Sequence, residues 1–548
     1  MSESRFDEGP DPLTGQEAGD ELDADLEAVL RSRLVVGPDP SVLDDVVAAP
    51  APDPTEQLAD QVELERQVAE IYAQIVARAP EHKVQPSIQR VADCLDMMGN
   101  PQRSFRAVHI TGTNGKTSTA RMIESLLRER GLRTGRFTSP HLNSVRERIS
   151  IDGQAISPAA FIQAWEDVAP FVAWVDEKSA AEGGPRMSFF EVFTVMAYAA
   201  FADAPVDVAV VEVGMGGKWD ATNVIDAEVA VLMTVARDHE KWLGYELTDI
   251  ATEKLGILKP GATLISARQD PEVLDLVHDA VRANRAEYVQ YGQNLQVLDR
   301  ESAVGGQIIT VRTPAGVYED VPLAMFGDYQ ASNAAMAIAA AEALFGGGAW
   351  SGDVVEHALM ATHSPGRMEV VRKSPLVLVD AAHNPAGVEA TVGALEENFP
   401  GTRVLVFAAM ADKDVEGILS VAEPHFSSVV VTALDSERAM PIDETAELAR
   451  EVFGEDRVAV EPNLDTAIVY AADVAESADV EELTTPHVVV MGSIVLAANA
   501  RAVMGRPKVD GSRNAPAVRI RWEETDGPGR ENAPDETAGQ ELEEFPRD

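Results

Sequence analysis

A nine-residue segment, Ile110-Thr-Gly-Thr-Asn-Gly-Lys-Thr-Ser118, constrains this chain more than any other. An apolar run, Val108 to Ile110, leads into it and an amphipathic run, Thr119 to Arg130, leads out, so the order is strand, glycine loop, helix. Gly112 and Gly115 let the backbone fold tightly, so that its N–H groups and the helix N-terminus converge on an anion such as a phosphate. Lys116 adds a full positive charge, and the hydroxyls of Thr117 and Ser118 stand where a bound magnesium ion is reached. The strict phosphate-loop spacing is not met, because Ile110 occupies the place of its first glycine. The shorter Gly-Thr-x-Gly-Lys-Thr form remains, with a plain glycine-rich turn as the alternative reading.

With 548 residues and a hydrophobic fraction of 45%, the chain has room for two or three domains with sizeable cores. No apolar run reaches the roughly 18 residues of a membrane span, and Met1 to Glu8 lack the basic-then-apolar order of a signal peptide. A soluble, cytoplasmic protein is therefore expected. Cys94 is the only cysteine, which excludes an internal disulfide and a cysteine-based zinc site and suggests a small core residue. The formal net charge of -46 repels nucleic-acid backbones and anionic lipids, so neither nucleic acid nor a membrane is an expected partner. Residues 1 to 60 hold 16 Asp and Glu against 3 Arg, and residues 523 to 548 hold 10 against 2, giving -13 and -8. Both ends are also rich in Pro, Gly, Ser and Thr, so 1–63 and 509–548 read as acidic disordered tails.

Between the tails, apolar residues at Val68, Ile71, Tyr72 and Ile75 predict a helix ahead of the glycine loop. Val206 to Val213 and Val229 to Val235 are continuous apolar runs, as expected of strands buried on both faces of a parallel sheet. Met187 to Ala202 and Thr248 to Leu258 read as intervening helices. The alternation predicts an α/β fold, a P-loop ATPase domain with a doubly wound, mostly parallel sheet, over residues 64–361. Around Ser364-Pro-Gly-Arg367 the pattern restarts, with strands at Leu376 to Val379, Val404 to Phe407, Val429 to Thr432 and Val488 to Met491. These predict a smaller Rossmann-like α/β C-terminal domain over residues 362–508, and the cleft between two such domains is a usual place for chemistry.

Polar residues cluster where strands end. Glu212-Val-Gly-Met-Gly-Gly-Lys-Trp-Asp-Ala-Thr-Asn223 follows a buried strand, although a turn alone would explain its glycines. Asp238 and His239 end the next strand, where the histidine either ligates a metal or caps the strand. Glu191 lies in an apolar helix, where a carboxylate is costly without a cation, so a metal-ligand role is preferred. Lys254 reads on spacing alone as a surface charge. In the second domain Val379-Asp-Ala-Ala-His-Asn-Pro385 places three polar side chains after a strand, with Pro385 starting a helix whose amides can meet an anion.

Taken together these segments resemble the folylpolyglutamate synthase and dihydrofolate synthase family of Mur-ligase-like enzymes, from about residue 67 to residue 505. The resemblance rests on Gly112 to Lys116, Thr138-Ser-Pro-His-Leu142, Arg146-Glu-Arg-Ile149, Ser188-Phe-Phe-Glu191, Glu212 to Gly217 with Asp220 to Asn223, and Glu253-Lys254. It continues in Gln330 with Asn333, Pro365-Gly-Arg367, Asp380 with His383-Asn-Pro385, Ala411-Asp-Lys-Asp414 and Gly492-Ser493. Three positions depart from the family pattern: Thr117 stands where glycine is common, and Met215 and Trp219 where leucine and a smaller aliphatic residue are usual.

The resemblance implies that Gly112, Thr113, Asn114, Gly115, Lys116, Thr117 and Ser118 hold the phosphates of ATP, with Asn333, Arg367, Asp380, His383 and Asn384 meeting the nucleotide across the cleft. It implies Mg2+ on Thr117 or Ser118, Ser139, Glu191 and His239, and carbamylation of Lys254 to make a further ligand. Lys116, His239 and Lys254 would be the catalytic residues, and His383 and Ser493 would lie near the glutamate or the phosphates. The implied reaction joins L-glutamate to dihydropteroate or to folate through an acyl phosphate, in a bifunctional enzyme expected to be a monomer. Two other readings compete. A cell-wall amino-acid ligase would need an extra N-terminal domain where this chain has a tail, and a non-catalytic ATP-binding switch would have no need of Glu191, His239, Lys254 or the turn at Asp380 to Asn384.

Overall fold

The structure, a computed structural model, describes residues 54–78, 87–478 and 485–506. The expected tails lie outside the described residues, apart from the stretch 54–63 at the end of the first. The described residues fall into two units divided between Glu65 and Arg66. Of the first unit, residues 54–65 are described, all helical; the helix Pro54–Val76 runs on from there.

Residues 106–290 build an eight-stranded sheet from β1 (Arg106–Thr111), β2 (Thr134–Phe137), β3 (Ile149–Ile151), β4 (Gln154–Ala155), β5 (Val208–Glu212), β6 (Val229–Leu232), β7 (Thr263–Ser266) and β8 (Glu287–Gln290). The order is β4-β3-β2-β5-β1-β6-β7-β8. Only the β2-β3-β4 edge is antiparallel. β1 lies in the middle, Val108 pairing with Val210 on one side and Val229 on the other, which is why β1, β5 and β6 are apolar and β-branched without alternation. Helices cover both faces. The helix Lys116–Glu129 buries Ala120, Met122, Ile123, Leu126 and Leu127 in a core shared with the alanine-rich helix Asp328–Leu344. On the other face Phe161, Phe193 and Phe201 join Val68, Ile71, Ile75 and Cys94.

A three-stranded antiparallel sheet, β11-β10-β9, that the sequence reading did not include follows, with β9 (Gln296–Ala303), β10 (Gly306–Arg312) and β11 (Val317–Leu323). Its inner residues Ile309, Val311, Tyr318 and Val321 extend the first core. The third sheet runs β12-β13-β17-β14-β15-β16 and comprises β12 (Glu369–Lys373), β13 (Leu376–Val379), β14 (Arg403–Phe407), β15 (Ser428–Val431), β16 (Val458–Val460) and β17 (His487–Met491). It is parallel except for β12. Two parallel-rich sheets, each wrapped by helices, give the two-domain α/β architecture expected. Among the described residues no helix is long and apolar enough to cross a membrane.

Candidate active site

β1 and β5 are parallel neighbours and bring their last residues, Thr111 and Glu212, to the edge where open α/β sheets present ligands. The chain leaves β1 through Gly112 at φ +139°, where a Cβ would stand 2.4 Å from Met233 Cβ and 2.9 Å from Met233 Cα. Only glycine lets the loop pass so close. Thr113 fastens the loop to the segment beyond β6: its hydroxyl donates to the Ala236 carbonyl and accepts from the Ala236 N–H, each at 2.9 Å. Gly115, left-handed at φ 84°, is the N-cap of the helix Lys116–Glu129, whose first turn, Lys116 to Ser118, lines a cleft. The open amides and positive dipole end of that turn favour an anion.

Four cationic or acidic groups set the field in this cleft. Lys116 Nζ donates to the carbonyls of Gly112 and Thr113 at 3.1 and 3.0 Å. Lys254 Nζ reaches the same Gly112 carbonyl at 2.9 Å, and burial beside Lys116 brings its ammonium down to about 7. Far from being the surface charge its spacing suggests, it is buried, because the helix Leu247–Leu255 turns that face inward. Gly217 permits this packing: a Cβ there would meet the Lys254 carbonyl at 2.7 Å. The Glu212 carboxylate accepts from the Thr117 hydroxyl at 2.9 Å and from the Ser139 N–H at 3.4 Å. Burial raises its pKa, against the opposing pull of Lys116.

Asp238 completes the set. It accepts from Lys413 Nζ at 2.7 Å and Asn384 Nδ2 at 3.3 Å, and stands 3.8 Å from Nε2 of both His239 and His383. Burial works to raise its pKa, but His239, Lys413 and His383 outweigh it and hold the carboxyl well below the usual range. The histidines themselves are pushed by burial down to about 4, so both are neutral near pH 7.

Residues from the second sheet form the opposite wall. Asp380 follows β13 and is held by the N–H groups of Met368 and Ala382, each at 2.7 Å, and by the Thr391 hydroxyl at 3.2 Å. Asn384 caps the helix Pro385–Asn398 through the Gly387 N–H at 2.8 Å, with Pro385 in its first turn as the sequence predicts. The amides of Asn384 and Asn114 exchange hydrogen bonds at 3.1 and 3.2 Å, so the glycine loop and the second domain's turn meet directly.

Gly112 through Ser118, Ser139, His239, Lys254, Asn333, Arg367, Asp380 and His383 thus line one cleft, and Asn384 bridges it. Two expected residues stand elsewhere. Glu191 occupies the third position of the helix Phe189–Asp203, where it caps the Ser188 N–H at 2.6 Å and pairs with Arg90 at 2.8 Å. Ser493 caps the helix Ile494–Val503 through the Leu496 N–H at 3.0 Å. Asp238 and His239 do not end a strand: β6 stops at Leu232, and His239, left-handed at φ 54°, is the N-cap of the short helix Glu240–Leu243. The sequence reading placed Glu212 and Asp238 among the polar residues at strand ends but gave neither a role, although the place of Glu212 as the last residue of a central strand is a usable signal. Lys413 was visible only as part of a motif.

Residues 177–341 match the Mur ligase middle domain and residues 366–494 the Mur ligase glutamate ligase domain. The dihydrofolate synthase/folylpolyglutamate synthase of Mycobacterium tuberculosis is 46% identical over 449 residues, covering 78% of this chain and 92% of that protein. Its counterpart in Bacillus subtilis is 31% identical over 387 residues, 68% of this chain and 87% of that one. The solved M. tuberculosis folylpolyglutamate synthase complexed with ADP and AMPPCP superposes with a TM-score of 0.77 at 43% identity, over 81% of this chain and all of that one. An FPGS–AMPPCP–folate complex gives 0.66 at 30% identity over 79% and 98%. With this likeness running through both sheets and the cleft between them, the chain belongs to the dihydrofolate synthase/folylpolyglutamate synthase family of Mur ligases.

Proposed function

We propose that the protein is an ATP-dependent ligase that adds L-glutamate both to dihydropteroate and to a folate already bearing glutamate. The observation that carries this reading is the meeting of the glycine loop with the Asp380–Asn384 turn, through the paired amides of Asn114 and Asn384. A nucleotide switch needs the first alone; a ligase needs both walls. Relatives named for both activities, and a neighbour solved with AMPPCP and folate, support it. In this reading residues 64–361 bind the nucleotide, residues 362–508 complete the ligase, and the chain acts as a monomer.

A free carboxylate is a poor electrophile, because its charge repels an amine and it lacks a leaving group. Attack of the acceptor carboxylate on the ATP γ-phosphorus breaks the bond to the bridging oxygen, releases ADP and forms an acyl phosphate. The glutamate α-amine then attacks the acyl carbon, loses a proton and expels phosphate, leaving the amide. Lys116 and the amides of the first helical turn hold the phosphoryl oxygens as charge spreads over them. Asn114 and Asn384 close the cleft over the acyl phosphate and keep water from it. Neutral His383, with Nδ1 at the Ala381 carbonyl and Nε2 facing Asp238, is placed to hydrogen-bond the incoming amine.

Glu212 is a buried carboxylate that forms no ion pair among the described residues, with the hydroxyls of Thr117 and Ser139 and the His239 ring on the same cleft, a donor set that suits Mg2+. No three His, Cys, Asp or Glu side chains among the described residues form a ready cage, as fits an ion held partly by phosphate and water. When bound there, the ion would neutralise phosphate charge. Lys254, brought down to about 7, has a sizeable neutral-amine fraction at physiological pH, the form that takes up carbon dioxide as a carbamate. The test is ADP release with each acceptor, with and without glutamate. Wild type should release ADP with both acceptors and Lys116→Ala with neither; near-normal turnover in that variant would refute the loop assignment.

A further inference from the structure

A side cavity of about 30 Å³ adjoins the cleft and shares Thr117, Pro140 and Arg367 with it. That volume suits about two waters, or one carboxylate group. Arg121 forms part of its wall. It lies four residues beyond Thr117 on the helix Lys116–Glu129, so both share a face and Arg121 is about 6 Å further along the axis.

The acidic groups around Arg121 are committed elsewhere. Glu147 accepts the N–H groups of Leu142, Asn143 and Ser144 at 2.9, 2.9 and 2.8 Å. Glu124 pairs with Arg136 at 3.0 Å, and Glu212 takes the Thr117 hydroxyl. Arg121 Nε is buried without a hydrogen-bond partner, and among the described residues its guanidinium makes no hydrogen bond or ion pair. A guanidinium whose Nε is buried without a partner is costly, and its planar fork matches a carboxylate with two parallel hydrogen bonds. Pro140, Leu142, Pro365 and Ile494 supply apolar wall for methylenes.

The two acceptors differ in what such a place would take. Dihydropteroate ends in one carboxylate, which reacts. A folate bearing glutamate ends in two, separated by the α-carbon and the methylenes of that glutamate, of which one reacts and the other must be kept apart. We infer that Arg121, with Arg367 adding positive charge, holds the non-reacting carboxylate of a glutamate-bearing acceptor in this side cavity. The inference rests on the ligase reading above and makes Arg121 a specificity residue for chain extension over first glutamate addition.

The experiment compares kcat/KM for both acceptors in wild type and Arg121→Met. The ratio of the glutamate-bearing acceptor to dihydropteroate should fall about ten- to hundredfold, mainly through KM. Converting the non-reacting carboxylate to an amide should cost the wild type a similar factor, and Arg121→Met should no longer distinguish acid from amide. If Arg121→Met does not fold, the amide on wild-type protein decides: equal kcat/KM for acid and amide overturns the inference. An unchanged acceptor ratio in the variant overturns it too. So does a raised KM for free L-glutamate with both acceptors, which would give the cavity to the incoming amino acid. Wild-type protein that releases no ADP with glutamate and either acceptor would remove the ligase reading and the inference with it, a failure recognisable without any variant.

Discussion

Gly112→Ala probes the loop most directly. Its φ of +139° is a conformation that alanine adopts only under strain, of about 1–3 kcal/mol. The added methyl would also stand 2.4 Å from Met233 Cβ and 2.9 Å from Met233 Cα. Met233 is not free to retreat, because its N–H donates to the Thr111 carbonyl at 2.8 Å and continues the β1-β6 ladder. The loop must therefore move, and overpacking of this kind costs about another 1–3 kcal/mol. The Gly112 carbonyl also accepts both Lys116 and Lys254, so the displacement reaches the two cations of the cleft. Chemical denaturation should show a loss of about 2–6 kcal/mol. Calorimetric affinity for a non-hydrolysable ATP analogue should fall at least about tenfold, the effect of 1.4 kcal/mol. A variant with stability, nucleotide affinity and ADP release all within about twofold of wild type in equilibrium terms would refute the steric argument.

Glu212→Gln should raise the magnesium concentration needed for half-maximal ADP release, whereas Glu191→Ala should leave that concentration unchanged and instead destabilise the fold by about 3 kcal/mol, because it breaks a buried pair with Arg90. Lys254 at about 7 in the folded protein, against 10.5 unfolded, means that the unfolded chain binds more protons between those values. Its burden is full below pH 7 and lifts as the pH rises towards 10.5. Lys254→Met should accordingly be the more stable protein at pH 6.5, by a margin that narrows by pH 10, and it should lack the carbamate carbon signal expected of wild type in 13C-bicarbonate. His109, buried on β1 and 2.8 Å from the Thr222 hydroxyl, is held at about 3 by burial against 6.5 unfolded. Its contribution is present above pH 6.5 and is lost at about 1.4 kcal/mol per pH unit as the pH falls towards 3, so the urea midpoint should drop less between pH 7 and pH 5 in His109→Gln than in wild type.

How far the molecule could be read in advance depended on where burial leaves a mark. β5, β6, β13, β14 and β17 are covered on both faces, so their sequences are unbroken apolar runs. β9 has one wet face and reads Gln-Val-Leu-Asp-Arg-Glu-Ser-Ala, which no hydrophobic pattern separates from a loop. The glycine loop was legible because its geometry demands glycine at a fixed place. Glu191 was not, since the cation that neutralises it comes from Arg90, 101 positions away in the chain. Lys254 and Arg121 look in sequence like ordinary charges on amphipathic helices. Only the packing of Gly217 on one, and the side cavity beside the other, sets them apart.

Cys94 gives the experimenter a built-in clock. Burial, with Asp176 and Asp93 adding to it, pushes the thiol up to about 12, so the native protein presents no nucleophile to an alkylating reagent. Labelling must then wait for the helix Gln89–Met97 to come away from the core, and its rate reads the frequency of that opening. Since no other cysteine competes for the reagent, mass spectrometry of the whole chain suffices to time the event, and adding nucleotide shows whether filling the cleft slows it.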